Sequence, residues 1–125
     1  MTGRLAHFRL GAVAALAFAL GASTWAAEPF RKLNSNEIIA RFTGTELTDE
    51  VHWAFVFGKA GALSTFSMGR TGTGTWTVRD DELCLDLPVD GLRCSEVWMA
   101  GTRVELRREA APPEEGMLQK PQKRK

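Results

Sequence analysis

The stretch Gly69-Arg70-Thr71-Gly72-Thr73-Gly74-Thr75-Trp76 has the composition of a loop that cradles a phosphate. Such a loop works when backbone N–H groups and a following helix N-terminus converge on the anion. Here the context fails. The adjoining "TWTVR" alternates as a strand does, Gly-Lys-Ser/Thr is missing, and the glycines at 69, 72 and 74 lack the dinucleotide spacing. The stretch reads instead as a flexible connection into a strand carrying Trp76, with Arg70 exposed as a candidate partner contact.

Downstream of residue 26 the one histidine is His52, the residue type that titrates near neutrality unaided. As an acid or base it needs an oriented carboxylate, and Asp49 and Glu50 stand beside it in the chain. Its position between Val51 and Trp53 in an alternating apolar pattern reads more simply as a partly buried strand residue. A metal centre needs three or four ligands, which His52, Cys84 and Cys94 do not convincingly supply. No serine has a nucleophile-elbow setting. Asp80, Asp81 and Glu82 cluster where a turn is expected, without the glycine and alternating oxygens of a calcium loop. No cofactor or metal is expected. Trp53, Trp76 and Trp98, each in a different strand pattern, either line an apolar ligand pocket with His52 or fill the core, and aromatic burial favours the core.

The chain start sets the address. Arg4 and Arg9 stand in "MTGRLAHFR", the uncharged "LGAVAALAFALGA" comes next, and "STWAAEP" brings small and polar residues, the layout of a secretory signal peptide. Residues 10–22 are short of the roughly 20 apolar residues that span a bilayer. Cleavage after Ala26 puts Thr24 and Ala26 in the small-residue pockets, with Ala27 the next candidate and an uncleaved anchor the alternative. The expected location is periplasmic or secreted, with no stable membrane anchor once residues 1–26 are removed. That cleavage takes two arginines and no acid from 16 basic and 15 acidic residues, leaving a charge of −1. Such a balance offers nothing to nucleic acid.

Two cysteines in an exported chain are most simply one disulfide, Cys84–Cys94. A two-residue Asp90-Gly91 turn puts the sulfurs on opposite faces, whereas a bulged or wider turn brings them together. A bulged or wider turn is expected. Around this hairpin the signals are short and regular. "LNSNEIIARFTG" offers Asn34 as cap, Glu37 three residues on, a Leu33–Ile38 staple and Gly44 as a stop, which together predict one short helix. "VHWAFVF" then alternates, with Val51, Trp53, Phe55 and Phe57 on one face, and turns recur roughly every eight to twelve residues as far as "RVELRR". The expected fold is mainly β, a small antiparallel meander or roll of five to seven strands over residues 33–108 with one N-terminal helix. Residues 110–125, with three prolines, no aromatic and a basic end, are expected to be a disordered tail.

"FGKAGALSTFS", "GTGTWTVRDDELCLDL" and "RCSEVWMAGTRVELRR", preceded by "SNEIIARFTGTEL", resemble small exported bacterial β-proteins of uncharacterised function. That resemblance implies a rolled antiparallel sheet with a Cys84–Cys94 bridge and lends no catalytic residue. Gly74-Thr75-Trp76 is also similar to the G-x-W of lipocalins, although it stands mid-chain here, which implies an incomplete, lipocalin-like barrel. The function expected from all this is a monomeric, non-enzymatic binding or interaction module. Its partner would be a small apolar ligand near the tryptophans or an envelope protein. The alternative is a secreted inhibitor of an envelope or cell-wall-active enzyme, probing through Gly69–Gly74 and Arg70.

Overall fold

The computed structural model describes residues 3, 11–12, 14–16 and 28–124; the expected cleavage site and most of the expected signal peptide lie outside the described residues. The helix α1 (Ser35–Phe42) starts where its cap requires. The Asn34 side chain accepts the Glu37 N–H, and the Glu37 carboxylate accepts the Asn34 N–H, so two orphan donors of the first turn are satisfied reciprocally. Leu33, Ile38 and Phe42 are buried beneath it.

Nine strands are found among the described residues: β1 (Arg31–Lys32), β2 (Glu46–Thr48), β3 (Trp53–Phe57), β4 (Ala62–Ser67), β5 (Arg70–Arg79), β6 (Glu82–Leu87), β7 (Gly91–Ala100), β8 (Arg103–Arg107) and β9 (Glu114–Gln119). Their order is β7-β6-β5-β4-β3-β2-β9-β8, and β8 pairs back with β7. The result is a closed eight-stranded antiparallel barrel. β1 is an extra strand that pairs with Met99 and Trp98 of β7, past the point where the β6 ladder has ended at Glu96. Closure corrects the expectation of an incomplete barrel of five to seven strands. The missing strand comes from the supposed tail: β9 pairs Glu46↔Gln119 with β2 and Val104↔Gly116 with β8, joining the two edges that a meander ending at β8 leaves open. Residues 114–119 are therefore ordered by the barrel and not by their own composition.

Alternation sorts the side chains. Leu47, Phe57, Leu63, Trp76, Leu85 and Val97 are among the residues that fill the interior, as the narrow bore of an eight-stranded barrel requires. Phe57, at the helix end of β3, is fully buried and stands edge-on to Phe42 at 5.1 Å and to Trp76 at 5.4 Å. Helix α1 closes one end. Ser35 is tied there to the β5–β6 turn, donating its N–H and hydroxyl to the Asp81 carboxylate at 2.7 and 3.0 Å. Asp80 and Asp81, both at positive φ, form that two-residue turn between Arg79 and Glu82, a conformation aspartate tolerates. β1 enters at this same helix end, and Arg103 sits over Phe30 just before it. The loop end lies opposite and carries the β2–β3 loop, the Met68–Gly69 turn, the 88–90 turn and the β8–β9 connection.

Two further expectations resolve in the β5–β6–β7 region. Gly69–Trp76 is not a connection: β5 starts at Arg70 and runs unbroken through Trp76. Cys84 and Cys94 are bonded, and they pair directly, with Cα atoms 4.0 Å apart. The turn is the wider one, spanning residues 88–90 between the Leu87↔Gly91 pair.

Candidate functional site

The loop end is shaped by Asp49. Its Oδ1 accepts the N–H groups of Val51, His52 and Trp53 at 3.0, 2.7 and 3.0 Å, so one carboxylate oxygen gathers the turn after β2. The other oxygen bonds His52 Nδ1 at 2.8 Å. Desolvation acts to raise the Asp49 pKa, but the N–H groups of Trp53 and His52, the His52 ring and the Val51 N–H together hold it well below the usual carboxylate range. Thr48 closes the loop from the other side, donating its hydroxyl to the Trp53 carbonyl and accepting the Glu50 N–H. The neighbouring hairpin is joined to this loop through its backbone, the Met68 N–H donating to the His52 carbonyl at 3.0 Å.

Beside the loop, on the outer face of the barrel, lies a groove of about 550 Å³. Its floor follows the ladder register: Thr48 pairs with Ala54, Ala54 with Phe66, and Phe66 with Thr71, a row across β2, β3, β4 and β5. His52, Met68 and Arg70 line it toward the loop end, and Gln119, Gln122 and Arg124 line the far wall. Val51 and Met68 are exposed at 78% and 74%, and Met68 stands at a φ of 51°. A methionine in that left-handed region carries a conformational cost.

The far wall is made by residues 120–124, which leave β9 and fold back over the outer face as a strap. Glu46 points outward from β2 yet is fully buried beneath it. One Glu46 oxygen accepts Gln119 Nε2 at 2.8 Å, and the other takes the Arg124 guanidinium and the Gln122 N–H. Burial acts to raise the Glu46 pKa, and the bonds from Arg124, Gln119 and Gln122 more than reverse it. Arg124 is correspondingly held more firmly protonated by the Glu46 carboxylate. Its guanidinium also lies over the Phe66 ring, 4.5 Å from the centroid. The basic end of the chain is thus seated on the barrel as far as Arg124.

The residues singled out from the sequence divide between groove and scaffold. His52, Trp53 and Arg70 meet at the groove. Trp53 is half-buried and also reaches the barrel interior, packing 5.1 Å from Phe55; Gly116 of β9 leaves the space, since a Cβ there would lie 3.1 Å from the Trp53 ring. Trp76 is core, 6% exposed, with its indole N–H donated to the Gly58 carbonyl at 2.9 Å. Trp98 is on the outer face of β7, covered by the Arg107 guanidinium at 4.1 Å. The three tryptophans therefore do not form one pocket: the alternation of β7 turns Val97 and Met99 inward and Trp98 out. Cys84 and Cys94 are structural and distant from the groove. Val51, expected on the face of Trp53, precedes β3 and is exposed.

Glu46, Phe66, Thr71 and Arg124 join the site without any local sequence signal. Only Asp49, three residues before His52, carries one, as an Asx turn ahead of a strand. Among the described residues the His52 ring has its hydrogen bond to Asp49 and none to a hydroxyl or thiol, and no three His, Cys, Asp or Glu side chains converge to hold a metal ion. The arrangement is suited to recognition: an apolar rim, hydroxyls, an imidazole and cations around an open groove. No protein-family model matches the chain, and no curated protein or solved structure is significantly similar to it.

Proposed function

We propose that the protein is an exported, non-enzymatic interaction module that meets a protein partner of the cell envelope through its loop end. The observation that carries this reading is the open groove bordered by His52 and Arg70 and rimmed by exposed Val51 and Met68. A barrel bore filled by side chains argues against a ligand held inside the barrel, whereas exposed apolar side chains beside a groove are typical of partner contacts. The signal-like leader and the Cys84–Cys94 bridge support export, and no helix among the described residues is long and apolar enough to cross a membrane.

An enzyme as that partner is the second reading. The observation in its favour is the Met68–Gly69 turn, held by the β4–β5 ladder and by the Met68–His52 backbone bond as a pre-ordered probe next to Arg70. Pre-ordering a loop reduces the entropy cost of docking, as inhibitor loops require.

The test is capture from an envelope extract with tagged wild-type protein, the Met68→Asp/Arg70→Ala variant and Trp98→Phe as a control. A specific partner retained by Trp98→Phe and lost by the loop variant supports the proposal. Retention by all three, or a partner lost only on changing Trp98, removes it. Inhibition of a captured enzyme by wild-type protein and not by the loop variant selects the second reading.

A further inference from the structure

Glu46, Phe66 and Gln119 form a guanidinium-shaped cage on three different strands. The carboxylate offers an ion-paired acceptor, the Gln119 amide fixes its second oxygen, and the Phe66 ring supplies a face for stacking. All three belong to the barrel, β2, β9 and β4, so the cage is set by the sheet and not by its occupant. The occupant is different in kind. Residues 120–124 form no regular structure, and their hydrogen bonds to the barrel all converge on Glu46: the Arg124 guanidinium and a long 3.4 Å bond from the Gln122 N–H. Their other bond, Gln122 to the Lys120 carbonyl, is internal to the strap. A segment held at one anchor opens at lower cost than the strands beneath it.

We infer that this cage is a recognition site for an arginine side chain of the partner protein, and that Arg124 occupies it as an internal stand-in until the partner docks. The inference rests on the reading that this face meets a protein. The cage's chemistry selects arginine over lysine, because a planar guanidinium can pair with the carboxylate while stacking on the ring, whereas an ammonium is a compact, strongly hydrated charge. Displacement conserves the ion pair: Glu46 exchanges one guanidinium for another, and Arg124 passes into water at the edge of the groove, where the partner already lies. Glu46 is never left buried without a cation, the state that would carry the large desolvation penalty.

An internal competitor acts at an effective concentration in the millimolar range, so its removal exposes the intrinsic affinity of the cage. The experiment titrates the folded protein with N-acetyl-Gly-Arg-Gly-amide, read by NMR on the Gln119 side-chain amide, with the lysine peptide as control. Arg124→Ala is expected to bind the arginine peptide about ten-fold more tightly than wild type. The lysine peptide should bind more weakly, and the Glu46→Gln/Arg124→Ala double variant should lose the binding. Equal affinity in wild type and Arg124→Ala, or no preference for arginine, overturns the inference. A second measurement needs no variant: in wild-type protein the peptide must move the Arg124 side-chain Nε–H resonance toward its solvated position, and an unmoved resonance at saturating peptide overturns it as well. A concentration-dependent dimer abolished by Arg124→Ala would assign the cage to the strap of a second copy and also overturn it. None of these outcomes bears on the extract capture with the Met68/Arg70 variant, so the two proposals fail separately.

Discussion

Gly74 on β5 faces the backbone of Asp86 on β6 so closely that a Cβ at residue 74 would stand 2.5 Å from the Asp86 carbonyl oxygen. The obstacle is backbone, flanked by the Leu87 side chain at 3.3 Å, and neither strand can yield without disturbing the ladder. Gly74→Ala is therefore expected to destabilise by about 1–3 kcal/mol, the usual range for overpacking, measured as a lower urea midpoint. At Gly72 the added Cβ meets only the Thr65 hydroxyl, a side-chain atom that can turn away, so Gly72→Ala should cost visibly less. Equal losses at the two positions would contradict the close approach.

The tryptophans separate by the fate of their N–H groups. Trp76 donates to the Gly58 carbonyl and stands edge-on to Phe57. Trp76→Phe leaves that carbonyl without its donor and is expected to cost about 1–3 kcal/mol. Trp98 is the reverse case, because its Nε1 is buried with no hydrogen-bond partner among the described residues. Trp98→Phe removes an unsatisfied donor while keeping an aromatic ring under Arg107, so its unfolding midpoint should match or exceed wild type. Chemical denaturation followed by circular dichroism tests both without relying on indole fluorescence.

How far the sequence reading carries depends on where each partner sits in the chain. Signals confined to one element or hairpin hold in the structure: the Asn34–Glu37 cap, the alternation of β3, and the pairing of Cys84 with Cys94 across a wide turn. β9 is not legible in this way, because its inward positions are Glu114, Gly116 and Leu118, a single large apolar residue between prolines at 112, 113 and 121. Gly116 looks like a strand breaker until Trp53, more than sixty residues earlier, is placed against it. Glu114 reads as solvent-facing until Arg93 and Arg108 converge on it at 3.2 and 3.5 Å. The groove is half visible for the same reason: His52 and Arg70 are evident as residue types, but Glu46 has meaning only once β9 brings Gln119 and Arg124 to it.

Acid should weaken the fold through its carboxylates. Asp49, Glu46, Asp81 and Glu37 are all held below their ordinary pKa by hydrogen bonds or ion pairs in the folded state. Each contributes stability that is fully present above its unfolded pKa, near 4, and is lost as pH falls through its lower folded value. The urea midpoint is expected to be flat with respect to these groups above about pH 5 and to fall progressively below pH 4. Asp49→Asn keeps an oxygen for the Val51, His52 and Trp53 N–H groups but cannot ionise, so its midpoint should start lower and fall less steeply over the same range. A variant as acid-sensitive as wild type would show that Asp49 does not carry the effect.

The Cys84–Cys94 bridge joins directly opposed residues of a hairpin that the barrel already holds on both sides. It closes a short loop, for which the chain-entropy model gives a contribution of about 2–3 kcal/mol. Reduction, or the Cys84→Ser/Cys94→Ser variant, is expected to lower the thermal midpoint by several degrees while the protein still folds. The groove residues lie elsewhere, so partner capture at room temperature should be unchanged. Loss of capture by a folded, reduced protein would place part of the contact surface on β6 and β7.

At the β4–β5 hairpin tip, stability and contact pull apart. Met68 and Gly69 both have positive φ, at 51° and 80°, between the paired Ser67 and Arg70. Asn-Gly is the favoured pair for such a two-residue turn, because asparagine adopts the left-handed region with little penalty. Methionine does so at a cost, and here its side chain recovers nothing by burial, being 74% exposed. Met68→Asn should therefore raise stability, by about 1 kcal/mol if the strain is of the usual size. The same substitution removes the largest apolar group from the tip and should weaken capture of the envelope partner. A variant that is both more stable and fully competent to bind would show that Met68 is only an ill-suited turn residue; a more stable protein that loses its partner identifies the strained methionine as part of the contact.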